Sequence, residues 1–428
     1  MPILILFTGG LTLALPNDMR VLLFGSVYLD NAALMIYLFG VLVSGRLFRV
    51  VVPGPAFRFT VMVSILAGLV FVSAWLNGYL DVDAGKAARM WLLATQILVV
   101  AYWTRRWGAT FVLRWYLVGM AAGGVVNIYH SVTNPYMYIG ILPVLYSRNA
   151  AGGFLAIAAL LSAWLMLTRE RRVDLPIAVG AGTVALVASA MSYSRTAMLI
   201  GACGLVAWSV VLSALVGSRH SRRLGVAALI FLVAGGMWVR SLPGSEDFWQ
   251  SLLQSVAYKF EDNTIDQPGS TAARYMYYPA VGEILLDSPL LGVSIAGFAA
   301  AVSKTSSYKS GLMEAEEESE RGTANPHNSF LYYISACGIP GLLMVLALFM
   351  MASRSFRRSL RDHGRPGLLV AYCLVFGYFV YGMTLPSLFN TPVLYVPVGV
   401  ALTLATRRFS TSPVISPRAS LHHAPSSS

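Results

Sequence analysis

Of the chain's 428 residues, 57% are hydrophobic and only 12% charged, with a mean hydropathy of +0.66. That is more apolar surface than one water-soluble globule can hide, so the composition points to an all-α, polytopic membrane protein. The net charge of +12 needs no nucleic-acid partner, because the basic residues are sorted along the chain in the way membrane orientation demands.

A spanning helix needs about 20 mainly apolar residues. Twelve runs near that length are predicted in chain order: 2–15, 21–44, 59–77, 87–103, 111–129, 150–168, 175–192, 196–216, 224–241, 328–352, 367–384 and 388–406. The stretch Tyr136 to Tyr146, with Pro135 and Pro143, is too short to span and is expected to lie in the interface or re-enter. No Lys or Arg precedes Arg20 and no small-x-small site follows the first run, so that run is expected to remain as an anchor. Cys203, Cys337 and Cys373 each fall inside a predicted span and read as small buried apolar residues.

Alternation of twelve spans puts 20 of the 31 basic residues on the side of the N-terminus, among them Arg105, Arg106, Arg171, Arg172 and the series Arg354, Arg357, Arg358 and Arg361. Only Glu170, Asp174 and Asp362 oppose them there. By the positive-inside rule this side is cytoplasmic, with both termini, and an error of one span would scatter the pattern. Arg195 in Ser192-Tyr193-Ser194-Arg195-Thr196-Ala197 then lies in a turn facing outward, where the rule provides no reason for a cation. Snorkelling to the interface or pairing with a loop carboxylate is one account of it; anion binding is another.

One loop is long, about 243–327, and lies on the outer face. This divides the chain into spans one to nine (1–242), a periplasmic loop subdomain (243–327), spans ten to twelve (328–408) and a disordered cytoplasmic tail (409–428). Within the loop, Ser245 to Phe260 has apolar residues at helical spacing and is predicted to form an amphipathic helix. A second helix is predicted from Ser270 or Thr271, carrying Arg274, bent or restarted at Pro279 and ended by Asp287-Ser288-Pro289. The acidic run Glu314, Glu316, Glu317, Glu318 and Glu320 reads as a solvated segment, and Asn325-Pro326-His327-Asn328 closes the loop. His327 is either an interfacial histidine bonded to a carbonyl or a group that binds or deprotonates a substrate.

Three stretches together resemble the O-antigen ligase and polysaccharide polymerase superfamily of bacterial inner-membrane proteins. They are "SYSRTAML", "ARYMYYPAVGEILLDSPLLGVSIAGF" and "NPHNSFLYYISACGIPGLL", in that order and around a single large loop. The resemblance covers about Ala190 to Leu346. It departs where the family often has Gly-x-Gly and this chain has Gly292-Val293-Ser294.

The resemblance implies a glycosyltransferase that takes a glycan from a polyprenyl-diphosphate carrier at the periplasmic face, without metal or nucleotide cofactor. In a ligase the acceptor is a sugar hydroxyl of the lipid A core; in a polymerase it is a second carrier-linked repeat. Arg195, Arg274 and His327 align with the family's functional arginines and histidine. The chemistry is coherent with this: guanidinium is always charged and can hold a diphosphate leaving group bidentately, and imidazole can accept or orient the acceptor's proton. Ser194 and Thr196 can bond phosphate oxygens or cap the helix ends meeting at the turn. Tyr277, Tyr278, Tyr332 and Tyr333 can stack on sugars or serve as interfacial tyrosines, Glu283 or Asp287 can orient an arginine or the histidine, and Asn328 is a further secondary candidate.

Two other readings compete. Asp81-Val82-Asp83, in the predicted outward loop after the third span, has the form of a metal-holding pair in another class of polyprenyl-linked glycosyltransferases. A twelve-span transporter would also fit the hydropathy, but the chain has no internal repeat, and Asp30 is the one ionisable residue that approaches a mid-span position.

Overall fold

The computed structural model describes residues 2–14, 22–23, 27–28, 54–133, 148–168, 171–191, 237, 241, 270–306, 326, 328–363 and 395–404. Predicted spans eight, nine and eleven, the amphipathic segment 245–260, the acidic run and the tail lie outside the described residues, apart from Met237 and Ser241. Arg195, Ser194, Thr196, His327 and Asp30 lie outside them too.

Among the described residues the architecture is helical: α1 Pro2–Ala14, α2 Gly54–Leu76, α3 Leu80–Trp107, α4 Ala109–Thr133, α5 Arg148–Thr168, α6 Asp174–Met191, α7 Ser270–Asp287, α8 Phe298–Val302, α9 Ser329–His363 and α10 Tyr395–Leu404. Segments Gly54–Leu76, Ala109–Tyr129 and Ser329–Ala352 are long and apolar enough to cross a membrane. One expectation fails at its start. The run predicted as helix from residue 21 opens instead with a two-residue antiparallel pair, β1 Leu22–Leu23 and β2 Val27–Tyr28, with Leu22 opposite Tyr28.

Helices α1 to α6, α9 and α10 share one apolar core. Its closest crossing joins α1 to α4, where a Cβ on Gly10 would strike the Tyr116 carbonyl oxygen and one on Gly119 the Phe7 carbonyl oxygen. Small residues at such a crossing let backbones approach and gain dispersion contacts where no hydrophobic driving force operates. Helix α10 is buried from Tyr395 to Thr403, the pattern of a helix that is apolar all round. Tyr277, Ala280, Val281 and Ile284 of α7 form a second, smaller core with Phe298 and Val302 of α8, seated on Leu331 and Ile334 of α9.

Helix α2 begins at Gly54, before the predicted 59, and α9 runs on to His363, past the predicted 352. Helix α7 runs unbroken from Ser270 to Asp287 with Pro279 inside it. Proline removes one helical hydrogen bond, and burial of Tyr277, Ala280, Val281 and Ile284 on the small core offsets that loss. Helix α3 begins at Leu80, well before the predicted 87, so Asp81 and Asp83 occupy its first turn and not a loop. Carboxylates are favoured there by the unpaired N–H groups and the helix dipole. What precedes α3 is a tight Schellman turn: Gly78 takes φ 76°, Tyr79 N–H donates to Ala74 O at 2.8 Å, and Gly78 N–H donates to Trp75 O at 3.3 Å.

Candidate active-site face

At the end of the bundle where α2 turns into α3, four segments converge: that turn, the connection 288–297 after α7, α8, and a kink in α9. The kink follows from the sequence. Pro340 has no N–H to give the Ala336 carbonyl, and Gly338 adopts φ 65°, so the helical ladder is broken between residues 335 and 340. Three of the groups at the break are taken by the connection. Val293 N–H donates to Ser335 O at 2.9 Å, Ser294 N–H to Ala336 O at 3.1 Å, and Ile339 N–H to Pro289 O at 2.7 Å. Ser73 Oγ at the end of α2 donates within reach of Ala336 O at 2.6 Å and Leu291 O at 2.8 Å, and Asn77 Nδ2 reaches Gly292 O at 3.3 Å.

The turn itself needs left-handed backbone at two places. Gly292 has φ 62°, and a Cβ there would run into the Ser335 carbonyl. Ser294 has φ 65°, a left-handed conformation held with a side chain attached. That side chain contributes: Ser294 Oγ accepts from Gly297 N–H at 3.0 Å.

Asp83 holds the turn from the other side. Its carboxylate is fully buried; Oδ2 accepts from Ile295 N–H at 2.8 Å and Ala296 N–H at 2.9 Å, and Oδ1 pairs with Lys86 Nζ at 2.8 Å. Asp81 is exposed. The two carboxylates therefore face different environments, and Asp83 has its hydrogen-bonding capacity committed to protein groups.

The secondary candidates separate in the same way. Tyr277, Tyr332 and Tyr333 are buried in the two cores and cannot stack on a sugar, whereas Tyr278 is 44% exposed. Glu283 accepts from both the N–H and the Oγ of Ser306, each at 2.7 Å, tying α7 to the segment after α8. Asn328 is the N-cap of α9: its Oδ1 accepts from Phe330 N–H at 2.8 Å and Leu331 N–H at 3.4 Å, while its Nδ2 stands 3.5 Å from Tyr278 Oη. Asp287 closes α7 and is exposed. Arg274 is within α7, one turn before Tyr278. Asn77, Tyr79 and Lys304, which the sequence reading did not single out, line a cleft of about 380 Å³ with Glu283 and Asp287. Only Asn77-Gly78, a turn dipeptide, hinted at any of them.

Among the described residues no cluster of three His, Cys, Asp or Glu side chains is placed to hold a metal ion. Residues 180–346 match the family model described as O-antigen ligase. Comparison with curated proteins gives no match.

Proposed function

We propose, on the match of residues 180–346 to the family model described as O-antigen ligase, that the protein is an inner-membrane glycosyltransferase. It transfers a glycan from a polyprenyl-diphosphate carrier to a sugar hydroxyl of the lipid A core at the periplasmic face. The acceptor oxygen forms a bond to the anomeric carbon, the bond from that carbon to the phosphate oxygen breaks, and the diphosphate leaves with the electron pair. Arg195 and Arg274 stabilise the departing charge, with Ser194 and Thr196 as further phosphate donors, and His327 receives or orients the acceptor's proton.

One observation carries the reading beyond motif resemblance: the contact between Tyr278 of α7 and Asn328 at the start of α9. Arg274 precedes Tyr278 by four residues of α7, and His327 directly precedes Asn328 in the chain. Two motifs fifty residues apart thus touch, which supports the reading that they serve one site.

Arg195→Ala, Arg274→Ala and His327→Ala are each expected to lower transfer by about a hundredfold or more, the scale for removing a group that stabilises transition-state charge, with the protein still accumulating in the membrane. An Arg195→Lys enzyme of near-normal activity removes the diphosphate role. Transfer is expected to persist in chelator, since Asp83 is committed to Ile295, Ala296 and Lys86. Cells lacking the gene should accumulate full-length carrier-linked chains; accumulation of single repeats instead assigns the protein as a polymerase.

A further inference from the structure

The cleft between the start of α3, the end of α7 and α8 is not used by the transfer chemistry. Its apolar lining includes Ile284 and Val293, and exposed Asp287 and Lys304 border it together with Asn77 and half-buried Tyr79. At about 380 Å³ it falls in the size range of small-ligand sites. Tyr79 is seated there because Gly297 has no side chain: a Cβ on Gly297 would lie 2.8 Å from Tyr79 Cε2.

Three features narrow what the cleft takes. Glu283 and Asp287 sit one helical turn apart at its edge, so a diphosphate would meet two carboxylates and is disfavoured. Charged and amide groups on the rim likewise make it a poor acyl-chain site. Asp287 is the last residue of α7, where a carboxylate is opposed by the helix dipole. Lys304 borders the same cleft, yet among the described residues the ion pairs are Lys86–Asp83 and Arg114–Asp174, and neither Asp287 nor Lys304 is in one. An acceptor, a donor and an aromatic face around one small cleft match a sugar ring, whose hydroxyls both give and take hydrogen bonds and whose C–H face packs on tyrosine.

Building on the transferase reading, we propose that this cleft is a saccharide-binding subsite, with Asp287 accepting from and Lys304 donating to ring hydroxyls over Tyr79. It lies at a distance from the reacting bond: Arg274 and Asp287 are separated by thirteen residues of α7, about 20 Å of helix rise. The subsite therefore holds a sugar some rings away from the one being joined, and it reads chain length as well as sugar identity.

The test uses the full chain in nanodiscs and, as probe, the water-soluble oligosaccharide released by mild acid from the host's own carrier-linked glycan. Calorimetry should show binding that weakens at least fivefold in Asp287→Ala and in Lys304→Ala, and less in Asp287→Asn, which keeps hydrogen-bonding capacity. Both side chains are exposed, and unchanged thermal unfolding midpoints confirm that the variants remain folded. In transfer assays the same variants should raise KM with kcat unchanged, for the acceptor if the subsite holds acceptor glycan and for the donor if it holds the transferred chain. Wild-type protein that does not bind the oligosaccharide, variants that bind it like wild type, or an unchanged KM for both substrates would each overturn the subsite. Binding that weakens as expected in a protein without transfer activity overturns the transferase reading and leaves the subsite standing.

Discussion

At the scale of single residues, the end of the bundle is organised by groups whose partners are remote in sequence. Asp83 belongs to a motif that sequence alone associates with metal, and its carboxylate instead receives two N–H groups from residues more than two hundred positions away. Nothing in Asp81-Val82-Asp83 encodes that, because the partner is backbone and backbone carries no side-chain signature. Ser294 makes a sharper test. Its left-handed φ costs an L-residue about 1–2 kcal/mol, and its bond to Gly297 N–H returns about 0.5–1.5 kcal/mol. Ser294→Gly should therefore be close to neutral, Ser294→Ala should lose about 1 kcal/mol, and β-branched Ser294→Val should lose more. Thermal unfolding in detergent checks the order; a glycine variant less stable than the alanine variant would contradict it.

At the scale of elements, apolar runs predicted α1, α4, α5 and α6 to within a few residues, because twenty-residue hydrophobic stretches have few other outcomes in a membrane protein. The misses share a physical cause: packing or charge at a helix end outweighed a local signal. Helix α7 keeps its predicted ends and is not restarted at Pro279, since the small core grips the residues on both sides of it. Charged residues from Asp81 to Arg89 hid the first turns of α3, which are helical but not apolar. The kink in α9 was half legible, as Gly338-Ile339-Pro340 marks a weak point but not what fills it. Gly338→Ala places a Cβ against the Pro289 carbonyl at a positive φ, and should cost about 2–3 kcal/mol. It should also expose amides of residues 292–296 to hydrogen exchange. Unchanged protection there would mean that the connection is held by Asp83 and Ser73 alone.

For the whole molecule, the two ends of α3 set the frame. Its 28 residues rise about 42 Å, close to the thickness of a bilayer with its headgroups. One end meets the 288–297 connection; the other carries exposed Arg105 and Arg106. Also among the residues predicted on the basic side, Arg114 and Asp174 form a buried pair at 2.5 Å, so not every basic residue there is a free surface charge. In the proposed topology the positive-inside rule puts the Arg105 end on the cytoplasmic side. In a background with Cys203, Cys337 and Cys373 replaced by Ala, Lys304→Cys should react with an impermeant thiol reagent from the periplasmic side and Arg105→Cys should not. The reverse labelling would invert the topology and remove the periplasmic site with it.

The broken ladder in α9 also fixes an order of events during synthesis. The connection 288–297 leaves the ribosome before residues 335–339, yet it is to those residues' freed backbone groups that Val293, Ser294 and Pro289 bond. A nascent chain that has exposed the α7 motif but not yet inserted α9 lacks these bonds. This face is completed only when a later helix arrives, so on the proposed function an unfinished chain has no finished site to offer a substrate.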